Sequence, residues 1–308
     1  MDVDTFLTGL YVKVDDFCKT LPPAAPQPGQ DSHLTKSETV TLLIFSQWGI
    51  FQSERDFYRY AERHLRAAFP DLPTRPQFNR QTRQVLAEVS AFTHHLAAEL
   101  DACRCAYEAM DTMGCRTRNV KRRGHGWLPG ITNIGYCNRL GWYEGFNVLT
   151  SVTPTGVITG FGIAPASTKE QQFAETFLAA RSVTHPRLPE IGLSAVGPYL
   201  ADNGFCGQKR QQRWHEDYGA QVITPPKRTT SRHPWPKWLR RWLASKRQIV
   251  ETVHEKLLYT FRLDRDRPKE LQGFRVRLAA TACLHNFCIW TNEQLGHKPL
   301  AFAQLLEW

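Results

Sequence analysis

Residues 145–163, GFNVLTSVTPTGVITGFGI, decide the fold class. Phe146, Val148 and Val152 fall on alternate positions of the first half, and Val157 to Ile163 alternates again through Phe161. That is the period of a strand with one buried face. Between the halves, Thr153-Pro154-Thr155-Gly156 has Pro second and Gly fourth, as a type I turn prefers. The stretch is read as a β-hairpin.

Working outward, Arg104 to Asp111 (RCAYEAMD) is a short, mostly apolar run ending in a carboxylate and predicts a strand. Downstream, Ser167-Thr168-Lys169-Glu170 fits a capping box for a helix that buries Phe173, Phe177 and Leu178. Then come a strand at Ala195 to Asp202 (AVGPYLAD), a turn at Asn203-Gly204, a helix at Gln208–Tyr218 and a strand at Gln221–Thr224. Helices at Pro236–Leu258 and Leu271–Leu295 close the chain. The order β, hairpin, α, β, α, β, α is that of a ribonuclease H-like fold. It is an α/β fold with a mixed sheet flanked by helices, the hairpin strands running antiparallel to the first. This region is taken as residues 102–308.

Residues 1–101 have a different texture. Helical periodicity covers residues 1–20, a stretch from Ser37, the run Ser53–Ala68 and Phe78–Leu100, with a proline-rich break at Pro22–Gln30. Pro70, Pro73 and Pro76 punctuate the turn before the last of these, and Arg75, Asn79, Arg80 and Arg83 stand at its start. Two readings are open, a helix-turn-helix DNA reader or an ordinary helical bundle with exposed arginines. The region is expected to be an all-α DNA-binding unit.

A net charge of +10 and pI near 9.3 point to an acidic partner, nucleic acid or an anionic surface. The start, MDVDTFLTGLYVKVDDFCKT, reads neither as a signal peptide nor as a membrane span, and a cytosolic setting with no membrane is expected. The eight cysteines have no paired CxxC spacing, which argues against a zinc ribbon; small buried thiols are expected, with Cys103-Arg-Cys105 in a strand. His125, His185, His233 and His254 show no zinc spacing, and only His254 is close to a candidate residue.

That residue is Glu251, in RRWLASKRQIVETVHEKLL (240–258), an amphipathic helix whose apolar stripe is read as Trp238, Trp242, Ile249, Val250, Val253 and Leu257. Glu251 sits at the edge of the stripe, with Arg247 four residues before and His254 three after. Asp111 and Asp202 each end an expected strand, and the first and fourth strands of this fold are neighbours. Three carboxylates meeting at one point repel, and divalent cations between them make the arrangement tolerable. Mg²⁺ prefers oxygen ligands, and two such ions activate an attacking oxygen and stabilise a leaving one. Acids number 29 of 308, so the spacing alone is weak; the placement at strand end, strand end and helix carries the reading.

These stretches also carry a resemblance. YVKVDDFCK (11–19), SERDFYRYAERHLRAAFP (53–70), DTMGCRTRN (111–119), NRLGWYEGFNVL (138–149), GVITGFGIAPAS (156–167), ADNGF (201–205), RQIVETVHEKL (247–257) and RLAATACLHNFCIW (277–290) resemble a bacterial insertion-sequence DDE transposase of the compact type. The resemblance implies Asp111, Asp202 and Glu251 as the metal-binding triad, with two Mg²⁺ (or Mn²⁺) ions per site. It also implies Arg247 as the arginine of the family's Y-R-E-K pattern. The tyrosine position of that pattern is Ala244 here and the lysine position is Leu258, with Lys256 nearby on another face. Double-stranded DNA is implied as partner, both terminal inverted repeats and target, with a homodimer on DNA and a nucleoid-associated bacterial setting. The resemblance implies cleavage followed by transfer of the 3′ ends. A nuclease without strand transfer and a catalytically inactive DNA-binding derivative stay open.

Two further basic stretches are expected to face DNA. One is Arg116, Arg118, Lys121, Arg122 and Arg123, directly after Asp111. The other is Lys227, Arg228, Arg232, Lys237, Arg240, Arg241, Lys246 and Arg247, with Lys256 beyond, in a stretch free of acids between Asp217 and Glu251. Trp235, Trp238 and Trp242 are interleaved; an exposed aromatic stacks on an unpaired base, but the spacing also fits core, and core is the expectation for Trp238 and Trp242.

Overall fold

The structure is a computed structural model that describes residues 1–22, 34–118, 128, 130–183, 189–192, 198–226, 234–264 and 269–308. Lys121, Arg122, Arg123, Lys227, Arg228, Arg232, His125, His185 and His233 lie outside the described residues.

The N-terminal region is helical: α1 (Val3–Thr20), α2 (Lys36–Phe45), α3 (Glu54–Tyr60) prolonged by a π-turn at Ala61–Leu65, α4 (Arg75–Gln84) and α5 (Leu86–Glu99). In α1 the stripe Phe6, Leu7, Leu10, Val14 and Phe17 is buried, as its spacing predicts. The expected single helix over Phe78–Leu100 is two, because Val85 closes α4 and opens α5 outside helical geometry.

Next come β1 (Glu108–Arg118), β2 (Asn133–Cys137), β3 (Gly141–Val152), β4 (Ile158–Pro165), α6 (Glu170–Ser182), β5 (Tyr199–Leu200), α7 (Gln208–Tyr218), β6 (Val222–Ile223), α8 (Lys237–Glu255) and α9 (Leu271–Gln294). β3 is antiparallel to β1 and β4, while β1, β5 and β6 lie side by side and parallel. This is a mixed sheet flanked by helices, with the topology of a ribonuclease H-like fold. The hairpin closes where expected: the Gly156 amide donates to the Thr153 carbonyl at 3.0 Å, and Gly156 takes a φ of +90°, which favours glycine. β2 was not expected; it pairs with the first residues of β3, beside the end of β4.

Two further differences from expectation have local causes. β1 starts at Glu108, not Arg104, and the Cys103 region forms a 3₁₀ turn, Ala102–Arg104, that leaves Cys103 exposed rather than buried. β5 is only two residues long, because Pro198 has no amide to give and the chain turns at Asp202.

The sheet has two packed faces. Met110, Leu149, Tyr199 and Val222 pack with α6 and α7 through Phe173, Phe177 and Trp214. Ala109, Met113, Val148 and Val152 face α8, α9 and the N-terminal helices in one continuous core. α9 is buried nearly all round and runs against α5. Its Asn286 amide bonds both the amide and the carbonyl of Ile158 in β4 at 2.9 Å, and donates to Thr93 of α5 at 3.4 Å. Phe6 of α1 meets Phe287 edge-on at 5.1 Å. No helix among the described residues is long and apolar enough to cross a membrane.

Candidate functional site

Asp111 is the fourth residue of β1, not its last, since polar Arg116, Thr117 and Arg118 prolong the strand through pairing with β3. What ends near Asp111 is its neighbour. β5 pairs with β1 at Glu108↔Tyr199 and Ala109↔Leu200; the same register carried on sets Asp111 opposite Asp202, where β5 has already turned away. The aspartates therefore flank a notch between parallel strands. On its other edge Asp111 pairs with Thr150 of β3.

Asp111 is held closely. Its Oδ1 accepts from the Thr112 amide at 2.8 Å, and its Oδ2 accepts from Arg247 Nη2 of α8 at 3.2 Å. Burial pushes its carboxyl up to about 7; Arg247 opposes this, and the charges of Asp202 and Glu170 add to it. Asp202 caps the one-turn helix Asn203–Phe205 by accepting from the Gly204 amide at 2.7 Å.

α8 lies across Asp111 and Thr150. Arg247 bonds Asp111, and two turns on His254 Nε2 lies 2.6 Å from the Thr150 hydroxyl. His254 is buried, and desolvation with Arg139 and Arg247 nearby lowers it to about 3, so the imidazole is neutral. Glu251 lies between these residues along the helix, one turn from each, with its side chain exposed. The expected apolar stripe of α8 is only half right. Leu243, Val250 and Val253 are buried, whereas Trp238 and Trp242 are 69% and 47% exposed, on the far side of the helix.

Sequence reasoning missed Glu170. Its capping box does not form: Lys169 is the N-cap, without a side-chain bond, and Ser167 bonds Asn133 instead. Glu170 Oε1 accepts from the Thr112 hydroxyl at 2.9 Å. Burial raises its carboxyl, the Thr112 hydrogen bond opposes, and Asp202 raises it further. The only sequence signal was its place at the start of the helix that follows the hairpin.

The basic residues divide. Arg75, Arg80, Lys237, Arg241 and Lys246 are exposed. Arg83 pairs with Glu270 at 2.5 Å, Arg118 with Glu144 at 3.3 Å, and Lys256 sits over the Phe302 ring at 5.5 Å. Arg116 and Arg240 are half-buried.

The donor chemistry suits a hard divalent cation: carboxylates, partly desolvated and mutually repulsive, at a notch. Among the described residues no three His, Cys, Asp or Glu side chains already stand where one ion would bind them all. Asp111, Asp202 and Glu170 fit the ion in kind, and the exposed Glu251 side chain has room to swing.

Residues 117–287, more than half of the chain, match the family model described as a transposase DDE domain. Asp202 and Glu251 fall inside the match, and Asp111 lies just before it. No curated protein and no solved structure matches the chain. Sheet order, the aspartate notch and the family match agree: the chain belongs to the DDE transposases, DNA-cleaving and DNA-transferring enzymes that use divalent metal ions.

Proposed function

We propose that this transposase binds the terminal inverted repeats of its own insertion sequence, cuts there, and joins the freed 3′ ends to target DNA. Asp111, Asp202 and Glu251 are the carboxylates of the reaction, for two Mg²⁺ or Mn²⁺ ions. The observation that carries this reading is the register of β1 and β5, which sets Asp111 opposite Asp202 beneath the helix that bears Glu251. Bound there, such ions supply an activated oxygen nucleophile and stabilise the leaving 3′ oxygen.

The chain's own groups prepare that site. Arg247 keeps the half-buried Asp111 carboxylate balanced before a cation arrives. Released from it, the guanidinium is free to grip a phosphate through two parallel hydrogen bonds. His254, neutral and bonded to Thr150, fixes the rotation of α8 and so the side from which Glu251 approaches. Residues 1–101 supply end recognition, with Arg75 and Arg80 as backbone contacts, and residues 102–308 carry the chemistry. Lys237, Arg241 and Lys246, on the exposed side of α8 with Trp238 and Trp242, extend the DNA path. Two protomers on DNA hold the two ends.

The test uses full-length protein with the end sequences flanking its gene. Asp111→Asn, Asp202→Asn and Glu251→Gln are each expected to abolish cleavage and joining while leaving end binding within about twofold. Wild-type joining by any one of them would refute the assignment.

A further inference from the structure

The D-D-E pattern leaves out one carboxylate that lies nearer to Asp202 than a solvated surface acid would. Gly204 shows how near. A Cβ built on it would fall within 2.9 Å of both Asp202 Oδ1 and Glu170 Oε2, so the two oxygens converge on a single point over the glycine. Neighbouring contacts hold the arrangement: Gln171 Nε2, the next residue of α6, donates to the Cys206 carbonyl at 2.9 Å, and Arg210 bonds Gln171. The start of α6 is thereby fastened to the turn after Asp202.

Two half-buried anions aimed at one point are costly to hold together. The Thr112 hydroxyl donates to Glu170 and the Gly204 amide donates to Asp202, both neutral donors. Arg247 reaches Asp111, on the other side of β1 from Thr112. A cation between the carboxylates removes the repulsion, and Mg²⁺ needs only one or two protein carboxylates, completing its shell with water or phosphate.

We propose that Glu170 is an additional ligand of the divalent-ion site, sharing one ion with Asp202 before DNA binds. Glu251 completes the set only when DNA is present. The absence of a side chain at residue 204 is what lets Glu170 reach this ion. The inference rests on the assignment of Asp111 and Asp202 as ion-binding residues.

The test is Mn²⁺ binding to full-length protein without DNA, at pH 8, followed by the electron paramagnetic resonance of free Mn²⁺. Glu170→Gln preserves the acceptor for Thr112 and removes the charge; its Mn²⁺ affinity is expected to fall about tenfold or more. Gly204→Ala, which pushes Glu170 aside, should lower affinity by a similar factor. Wild-type affinity in Glu170→Gln, with weakened binding in Asp202→Asn, overturns the role of Glu170 alone. Wild-type affinity in Asp111→Asn and Asp202→Asn as well overturns the ion site itself.

Discussion

Arg247 Nη2 lies 3.2 Å from Asp111 Oδ2, joining the middle of α8 to β1. The side chains are 12% and 17% exposed, so solvent screens the pair only partly. In the proposed ion site the guanidinium occupies charge space that a divalent cation would need. Replacing it with a neutral side chain removes a competing positive charge a few ångströms away, worth about 1 kcal/mol. Arg247→Gln is therefore expected to bind Mg²⁺ about three- to tenfold more tightly at pH 8, yet to cleave DNA at least tenfold more slowly. Calorimetric titration and a cleavage time course check the two halves.

The pH dependence of stability carries the mark of His254 and His285. Burial lowers them to about 3 and about 4 in the folded protein. An unfolded chain protonates histidine near 6.5, so below that pH the unfolded state binds more protons than the folded one. The stability they contribute is present above about 6.5 and is lost as pH falls toward 4. Denaturant midpoints should drop steadily from pH 6.5 to 5. His285→Gln should flatten that slope by about 1 kcal/mol per pH unit.

Asp111 acts in the opposite sense. Its carboxyl is raised to about 7, so the folded state holds a proton that the unfolded chain releases near 4. Its burial therefore costs stability progressively as pH rises from about 4 to 7. Without divalent ions, Asp111→Asn should be about 2–4 kcal/mol more stable than wild type at pH 8 and nearly equal to it at pH 4, the pull of Arg247 being already contained in the raised value. Urea unfolding at the two pH values measures the difference.

Trp238 and Trp242 are exposed, so their loss should leave the melting temperature within about 2 °C of wild type. The double variant Trp238→Ala with Trp242→Ala is expected to weaken binding to single-stranded DNA by about tenfold, in keeping with a stacking role. Fluorescence anisotropy with a labelled oligonucleotide checks it. An unchanged affinity would assign this face to something other than DNA.

The ion pair of Glu108 with Arg181, 3.0 Å long and 1% exposed on each side, lies on the opposite face of the sheet from Asp111. Ser151 also donates to Glu108 at 2.7 Å. Glu108→Ala leaves a buried guanidinium without its anion and should destabilise the protein by about 3–5 kcal/mol. Chemical denaturation gives the value.

Much of the fold was readable because alternation in residues 145–163 and the carboxylates near β1 and β5 leave few topologies open. Three features were not readable, each for a physical reason. Trp238 and Trp242 recur at a helical interval that suits either side of α8, and only the position of the sheet shows which side is covered. Glu170 stands in a sequence pattern typical of a cap, but its carboxylate is drawn to a hydroxyl on a strand 58 residues earlier. The reach of β1 past Asp111 depends on pairing with β3, which no local propensity records for Arg116 to Arg118.

The wedge formed by α9, with β4 on one flank and α5 on the other, has a mechanical consequence. The first hundred residues are not beads on a string. They share one continuous core with the sheet, so a load placed on those helices reaches β4 through packed side chains, and a chain cut near residue 101 would bare apolar surface on both pieces.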